Sequence, residues 1–319
     1  MPIAARAVGA ADSDKMKKAP FAYFDEIRSL GVSTVWGEPA NLAAALPAGS
    51  KFDVVVDNNG KDMEACGPVI DYAKAAGCSQ FLFVSSCGVY KVTDEPPHVE
   101  GDAVKADAGH VLVEAALKGS GMAWASFRPQ YLTGALMTSN AERCASYCGA
   151  DDSSLAGYGS NKDCEEYFFD RIARGRPICI PGSGVQMTVV AHAEDLATML
   201  AAAIGNSAAN GQIFNAVADR GITLDGMARL CAKVAGVEAQ IVHYDPKKVE
   251  GVDVKKAFPF RPVHFYAEPR AAKKLLGWAP KWTLEAALAD RWAFFQASGR
   301  GKKDKTFADD DLILAAVKK

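Results

Sequence analysis

Polar side chains follow three short apolar segments of the sequence, at 52–57, 80–85 and 122–127. In an open parallel sheet the carboxyl ends of the strands meet at one rim, and ligands bind beyond that rim. If the three segments are neighbouring strands, the polar residues at their ends line one cleft. These residues are Asn58, Asn59, Ser85, Ser86 and Arg128.

Two histidines near carboxylates are candidates for acid–base chemistry. His110 lies four residues before Glu114, and His192 lies three residues before Asp195. This spacing brings both members of a pair to one face of a helix, where one could transfer a proton with the help of the other. Packing or capping of a helix explains each pair as well.

The segment that follows Ser86 carries His98 among three acids, Glu95, Glu100 and Asp102. Carboxylate oxygens bind hard divalent cations such as Mg2+. His98 could serve as a base beside such an ion. The competing interpretation is a solvated surface loop, because the segment also contains two prolines.

Cations and aromatic rings alternate between residues 247 and 274. Cations contact phosphates and rings stack on unpaired bases, so the pattern predicts a surface for single-stranded loops of RNA. Acids at 245, 250, 253 and 268 dilute the charge, and the rings could instead form the core of a small lobe. The candidates are Lys247, Lys248, Lys255, Lys256, Phe258, Phe260, Arg261, Arg270, Lys273 and Lys274.

The elements that must position these residues alternate along the first half of the chain. Largely apolar strands suit a parallel sheet covered on both faces, and the βαβα alternation implies right-handed crossovers. The sequence therefore predicts an α/β fold with a doubly wound, Rossmann-like parallel sheet. We expect strands at 32–36, 52–57, 80–85 and 122–127, and helices at 39–46, 63–76 and 109–117.

The second half mixes short strands with helices and predicts a smaller α/β lobe. We expect strands at 178–180, 186–190, 212–216 and 240–243, and helices at 192–204, 223–235, 269–276 and 284–296. The expected domains are an irregular segment at 1–31, the Rossmann-like domain at 32–175, the smaller lobe at 176–297 and a charged tail at 298–319. Residues 135–159, rich in Ser, Gly and Ala, predict an inserted loop.

Composition narrows the class of protein. Of 319 residues, 49% are hydrophobic and 23% are charged, which is typical of a soluble globular protein. The formal net charge of −2 argues against an extended basic surface, although it allows a local basic patch. No apolar run approaches the roughly 20 residues that span a bilayer. Eight cysteines without a CxxC pair predict free thiols in a reducing compartment.

The string Ser-Ser-Cys-Gly-Val-Tyr at 85–90 resembles the strand end that carries the catalytic serine of extended short-chain dehydrogenases and sugar-nucleotide epimerases. Arg-Pro-Gln-Tyr at 128–131 is similar to their next strand end, and 271–284 to their closing helix. The resemblance runs from about 32 to 297 and implies their fold. It makes Ser86 a vestige of the catalytic serine, and Asn58, Asn59, Ser85 and Arg128 vestiges of a cofactor cleft.

Five strings, at 57–62, 95–102, 161–166, 255–261 and 264–270, are more specific. Together they resemble the chloroplast stem-loop-binding proteins of the a-type, atypical members of the dehydrogenase superfamily. The resemblance implies a protein of the chloroplast stroma that binds structured plastid transcripts and ribosomal RNA. It also implies association with ribosomes or transcription particles, assembly with copies of itself or of family members, and RNA cleavage helped by a divalent ion such as Mg2+. The first residues carry no clear transit peptide.

Two departures from the superfamily argue against dehydrogenase chemistry. No Gly-rich turn for a pyrophosphate occurs before residue 32, so NAD(P) is not expected as a cofactor, and the chain is expected to lack the first strand and helix of the fold. In active relatives a Tyr and a Lys, four residues apart, transfer the proton. Counted back from Glu114, these positions hold Ala106 and His110.

Three functions stay open at this point. The first is an RNA-binding protein with endoribonuclease activity. The second is an NAD(P)-dependent epimerase or reductase that uses His110 as an unusual base. The third is a scaffold subunit of ribosome or transcription particles without catalytic activity. The fold alone does not choose among them.

Overall fold

The structure, a computed structural model, describes residues 4–7, 28–37, 39–58, 60–134 and 164–318. Its strands are β1 (Ala4–Ala7), β2 (Ser33–Trp36), β3 (Val54–Asp57), β4 (Gln80–Val84), β5 (Ala123–Pro129), β6 (Tyr131–Thr133), β7 (Ile178–Pro181), β8 (Met187–Thr188), β9 (Val190–His192), β10 (Gln212–Ala216), β11 (Ile222–Thr223) and β12 (Ile241–Tyr244). Its α-helices are α1 (Leu42–Ala45), α2 (Met63–Ala75), α3 (Gly109–Gly119), α4 (Glu166–Ala173), α5 (Ala193–Ala203), α6 (Leu224–Val234), α7 (Val254–Ala257), α8 (Arg270–Leu276), α9 (Leu284–Ala297) and α10 (Ala308–Val317).

A four-stranded parallel sheet in the order β10-β5-β4-β3 forms the centre of the fold. Three consecutive residues of β4, Phe81, Leu82 and Phe83, are fully buried. Neighbouring side chains of a strand point to opposite faces, so both faces of β4 are covered. Phe81 and Phe83 pack with α2 and α3, and Leu82 packs with α5 and α8. This arrangement confirms the predicted doubly wound α/β class.

The N-terminal part differs from the prediction. Strand β1 (Ala4–Ala7) pairs in parallel with β2 (Ser33–Trp36), so the expectation that residues 1–31 are irregular is wrong for β1. Within the described residues these two strands form a sheet of their own, separate from the four-stranded sheet. Strand β3 is an edge of the four-stranded sheet, and its Val56 is 43% exposed.

The smaller lobe is built from three strand pairs, β6 with β9, β7 with β12 and β8 with β11, and from helices α4, α6 and α9. Its core combines Phe168 and Phe169 of α4 with Met227 of α6 and Leu288 of α9. The segment 186–190 divides into β8 and β9 where one strand is predicted. Thr223 caps α6 by accepting a hydrogen bond from the backbone N–H of Gly226 at 2.9 Å.

The end of the chain is more ordered than a charged tail. Helix α10 packs on β7 and β12, and its Ile313 is buried with Tyr244. The buried Asp310 accepts a hydrogen bond from Arg171 of α4 at 2.6 Å. The charged residues at 302–305 are exposed, as expected, but the segment after them belongs to the packed lobe.

Candidate functional site at the strand ends

The polar turn after β4 lies where a parallel sheet presents its ligand site. The hydroxyl oxygen of Ser86 accepts a hydrogen bond from the backbone N–H of Gly88 at 3.0 Å and caps a short 3-10 turn at Cys87–Val89. Ser85 is buried, and its hydroxyl has no hydrogen-bond partner among the described residues. Lys105 donates to the backbone carbonyl of Gly88 at 2.9 Å. We call Ser85, Ser86, Gly88, Lys105 and Arg261 the strand-end site; Arg261 is described below.

Arg128, at the end of β5, serves a structural ion pair. Its Nε and Nη2 donate to both oxygens of Glu114 on α3, at 3.0 and 2.6 Å, and Ser126 donates to the same carboxylate at 2.8 Å. Arg128 is 2% exposed. Although burial alone lowers it, the hydrogen bonds to Glu114 raise the pKa of Arg128, so its guanidinium stays charged. The charge of Arg128 is therefore largely neutralised before any ligand binds.

A continuous stack of rings and cations joins this ion pair to the smaller lobe. Arg128 lies 4.8 Å from the centre of the Tyr90 ring, and Tyr90 stacks on His98 at 4.7 Å with nearly parallel planes. His98 meets the Phe265 ring edge-on at 5.0 Å, and Arg261 lies 3.9 Å above the same ring. Cation–π and aromatic contacts of this kind each contribute about 0.5–1.5 kcal/mol. We call these five residues the cation–aromatic stack.

His98 is held rigidly within this stack. It is 1% exposed, its Nδ1 lies 3.2 Å from Oδ2 of Asp102, and its backbone pairs with 266–268. Burial lowers the pKa of His98 in spite of Asp102, so the ring is neutral at pH 7. Its Nε2 has no partner among the described residues. A buried neutral imidazole can exchange a proton, provided that a substrate reaches Nε2.

The three acids around His98 do not converge on a metal site. Oε1 of Glu100 accepts the backbone N–H of Asn215 at 3.0 Å, Asp102 accepts the backbone N–H of Val99 at 3.1 Å, and Glu95 is exposed. Among the described residues no group of three or more His, Cys, Asp or Glu side chains is placed to hold a metal ion. The prediction of a metal site at Glu95, Glu100 and Asp102 is therefore wrong, because Glu100 and Asp102 bind backbone N–H groups and His98, and Glu95 is exposed.

The turn after β3 is also used structurally. Oδ1 of the buried Asp57 accepts the backbone N–H of Gly60 at 2.8 Å. A side chain at Gly60 would overlap the Cys66 sulfur, so the turn passes close to α2. Asn58 is exposed, and Asn59 lies outside the described residues. The predicted cofactor-cleft residues thus divide into an exposed Asn58, a buried Ser85 and an Arg128 that is already paired.

Neither predicted acid–base pair forms. The Glu114 carboxylate is bound by Arg128 and Ser126, while the half-buried His110 lies 5.9 Å from the Phe83 ring. Burial lowers the pKa of His110, although Glu114 opposes this effect.

His192 caps the start of α5, whereas Asp195 binds the segment at 281–282, so the two side chains do not act together. Nδ1 of His192 accepts the backbone N–H of Glu194 at 3.2 Å, and the ring stacks on Trp282 at 3.9 Å. Asp195 accepts the backbone N–H groups of Lys281 and Trp282 at 2.8 and 3.3 Å. Their packing and capping alternative is the one that the geometry supports.

The predicted basic–aromatic surface separates into different parts of the structure. Phe258 and Phe260 are 2% and 3% exposed and belong to the core of the smaller lobe. Their prediction as rings for unpaired bases is wrong, because a base cannot reach a ring in the core. Four lysines remain exposed on the segment between β12 and the end of α7, which we call the lysine segment: Lys247, Lys248, Lys255 and Lys256.

The other cations of the list lie elsewhere. Arg270 pairs with Glu268 at 2.7 Å, and Lys273 pairs with Asp219 at 2.7 Å next to β10. Lys274 is exposed on α8. Arg261 lies at the strand-end site: a Cβ atom placed on Gly88 would be 3.0 Å from the Ser86 hydroxyl and 3.6 Å from Nη2 of Arg261.

Several residues of the site are not evident from the sequence. Tyr90 donates to Oδ1 of the buried Asn215 at 2.7 Å, and Gln130 donates to the backbone carbonyl of Phe265 at 2.6 Å. Their partners lie 125 and 135 positions away. Lys105 contacts the Gly88 turn, 17 positions earlier. Such contacts depend on the fold and leave no local signal.

The donors of the strand-end site are of the kind that bind anions. Arg261 and Lys105 offer donors beside the Ser86 hydroxyl, which are suited to a phosphate. The positions of the dehydrogenase Tyr and Lys hold an exposed Ala106 and the half-buried His110. No residue among those described takes the place of that Tyr beside Ser86. The described residues also contain no helix long and apolar enough to cross a bilayer.

Known structures with the same architecture confirm the class. A dTDP-glucose 4,6-dehydratase of Streptomyces venezuelae matches 92% of this chain and 87% of its own at a TM-score of 0.65 and 14% identity. Pal of Bacillus thuringiensis matches 92% of this chain and 91% of its own at a TM-score of 0.64 and 17% identity. A UDP-glucose 4-epimerase of Thermotoga maritima matches 92% of this chain and 99% of its own at a TM-score of 0.61 and 15% identity. The fold is that of the extended short-chain dehydrogenase and epimerase class.

Beyond the fold, the chain is similar to a chloroplast stem-loop binding protein. It is 37% identical over 268 residues to the chloroplast stem-loop binding protein of 41 kDa b from Arabidopsis thaliana. The alignment covers 83% of this chain and 64% of the relative, so the chain spans a little less than two thirds of the length of that protein. No family model matches the chain. This identity supports the predicted resemblance to the chloroplast stem-loop-binding proteins, whereas the assignment to the a-type stays a prediction.

Proposed function

We propose that this protein binds stem-loop RNA in the chloroplast. The observation that carries the proposal is the 37% identity over 83% of the chain to a protein named for chloroplast stem-loop binding. The loss of the Tyr and Lys positions of the dehydrogenases, at Ala106 and His110, supports it, because the fold no longer carries the residues of its common chemistry.

The lysine segment is the proposed surface for the RNA backbone. Its four lysines are exposed, and Lys256 faces Asp253 across 3.9 Å. A pair of exposed charges at that distance contributes at most about 1 kcal/mol, so it yields readily to a phosphate. Because Phe258 and Phe260 are in the core, the segment contacts the backbone and does not stack on the bases.

Salt dependence of RNA binding tests this surface. A chloroplast 3′ stem-loop should bind with an affinity that falls steeply as salt rises. The double variant Lys255→Ala with Lys256→Ala should reduce the logarithmic salt slope by about 2, because each lost phosphate contact reduces it by about 1. Arg229→Gln, an exposed cation paired with Asp225, is the matched control and should bind as wild type. A folded wild-type protein that binds no stem-loop would refute the proposal.

Four finer properties belong to the same proposal: endoribonuclease activity with a divalent ion such as Mg2+, location in the stroma, association with ribosomes or transcription particles, and assembly with copies of itself or of family members. Cleavage requires a base. Both His98 and His192 have a buried ring nitrogen without a partner among the described residues, and burial lowers the pKa of each. We propose His98, because it lies in the cation–aromatic stack next to the strand-end site. His98→Phe keeps the stack on Tyr90 and removes the base. Cleavage that persists in a folded His98→Phe variant would exclude His98.

The second function, an NAD(P)-dependent epimerase or reductase, is supported specifically only by the likeness of the fold to that of epimerases and dehydratases. An NAD(P)-dependent enzyme would quench or enhance nicotinamide fluorescence on binding NADH or NADPH. We expect no change. A scaffold subunit, the third possibility, would co-sediment with ribosomal particles and bind no isolated stem-loop.

A further inference from the structure

Arg261 is a half-buried cation that no acid neutralises among the described residues. Its guanidinium lies flat against Phe265, and no ion pair is formed by it in the described part of the chain. Arginines in such positions are commonly matched by carboxylates or by phosphates of a ligand.

The groups around Gly88 present donors to the same place. The Ser86 oxygen accepts the Gly88 N–H, which leaves the Ser86 O–H proton free to donate, since no acceptor for it exists among the described residues. Lys105 uses one N–H for the Gly88 carbonyl and keeps two more. Beneath them, the buried hydroxyl of Ser85 has no partner in the described residues. A buried hydroxyl without a partner costs about 1–3 kcal/mol unless a ligand or water satisfies it.

The nearby carboxylates are already bound elsewhere. Glu114 holds Arg128, Asp102 holds His98, and Glu100 accepts the backbone of Asn215. Glu268 pairs with Arg270 at 2.7 Å. The positive charges of Arg261 and Lys105 are thus the uncompensated charges that face the Ser86 turn in the described structure.

We propose that the strand-end site binds a phosphate group. Arg261 and Lys105 would supply charge-assisted hydrogen bonds, and the hydroxyl of Ser86 a third donor. Gly88 leaves the space between Ser86 and Arg261 open, because a side chain there would meet both. The phosphate belongs either to a free nucleotide or to the RNA chain itself, two sources of one ligand chemistry.

Binding of 5′-AMP against adenosine isolates the phosphate contribution. We expect 5′-AMP to bind wild type at least tenfold more tightly than adenosine in isothermal titration calorimetry. Arg261→Gln should reduce the affinity for 5′-AMP by about tenfold or more and leave the affinity for adenosine unchanged, because one lost charge-assisted bond is worth about 1.5–3 kcal/mol. Arg261→Lys, which keeps the charge, should lose less. Lys105→Met should weaken 5′-AMP in the same direction.

Arg229→Gln is the matched control, because this exposed arginine pairs with Asp225 on α6 and lies outside the strand-end site. The unfolding midpoint of each variant is first shown to equal that of wild type. If Arg261→Gln does not fold, Arg261→Lys provides the test. Equal affinities of wild type for 5′-AMP and adenosine, or unchanged 5′-AMP affinity in a folded Arg261→Gln variant, would overturn the site.

Competition identifies the source of the phosphate. Displacement of 5′-AMP by a stem-loop RNA assigns the site to the RNA backbone. Simultaneous binding of both assigns it to a free nucleotide. The 5′-AMP measurement needs no RNA, so a failure of the proposed RNA function and a failure of this site give different results.

Discussion

Removal of the Glu114 carboxylate should destabilise the protein by about 3–5 kcal/mol, because Arg128 would remain charged and buried without its counter-ion. The pair is bidentate, at 3.0 and 2.6 Å, and both side chains are at most 6% exposed. Screening by solvent is small at such burial, in contrast to a surface pair worth about 0–1 kcal/mol. Glu114→Gln keeps the size of the side chain and removes the charge, so it measures the electrostatic part.

Replacement of both partners should cost far less than replacement of one. The double variant Glu114→Leu with Arg128→Met removes both charges, and such exchanges of buried pairs are commonly neutral or stabilising by about 1–4 kcal/mol. A double-mutant cycle therefore predicts a coupling energy of several kcal/mol. Urea unfolding followed by tryptophan fluorescence gives each free energy, because Trp124 lies on β5 beside the pair.

The control is Glu285→Gln, which removes an exposed pair with Lys233 at 2.8 Å and should change stability by less than about 1 kcal/mol. A loss under about 1 kcal/mol in Glu114→Gln would refute the reasoning. So would a double variant as unstable as the single one, since the cost would then come from packing and not from an unpaired charge.

Three further predictions concern the histidines, the core rings and Asp195. Burial lowers the pKa of His98, His110 and His192, so the unfolded chain takes up protons at a higher pH than the folded chain does. The free energy of unfolding should therefore fall as pH drops below about 6.5. The fall is up to about 1.4 kcal/mol per pH unit for each ring. Urea midpoints at pH 8 and pH 5.5 measure this, and His98→Phe should flatten the dependence; an unchanged slope would contradict it. Phe260→Ala should destabilise the protein by about 3–5 kcal/mol, because the ring lies in the core. Phe260→Leu should stay folded and bind stem-loop RNA as wild type. A loss of RNA binding in that folded variant would return Phe260 to the RNA surface. Asp195→Ala should cost about 2–4 kcal/mol, because two backbone N–H groups lose their acceptor, and thermal unfolding of this variant against wild type measures it.

Local pattern was sufficient for the elements that position the site. The apolar strands β3, β4 and β5 and the cap at Thr223 were predictable because hydrophobic periodicity and capping act within a few residues. Helix α10 carried such a signal too. Asp309, Asp310 and Asp311 stand in its first turn, where acids favour the helix dipole, and the helix could have been predicted in place of a tail.

The chemistry of the site was less predictable, because a residue type does not reveal its partner. Glu100 and Asp102 are suitable ligands for a cation by type, yet their oxygens accept backbone N–H groups from Asn215 and Val99. Phe258 and Phe260 alternate with lysines along the chain, yet the fold turns the rings into the core and the lysines outward. An alternation of this kind is common to binding surfaces and to the edge of any core.

The cation–aromatic stack explains where the binding chemistry lies. Arg128 comes from the sheet and Arg261 from the smaller lobe, and Tyr90, His98 and Phe265 connect them. Since Glu114 neutralises Arg128, the charge that remains for a ligand is that of Arg261, at the smaller lobe's end of the stack. A phosphate bound there contacts Ser86 of one part and Arg261 of the other, so it must stabilise their association. Saturation at 100 times Kd should therefore raise the free energy of unfolding by about 2.7 kcal/mol, and a tenfold weaker affinity in Arg261→Gln should reduce that increase to about 1.4 kcal/mol or less at the same concentration.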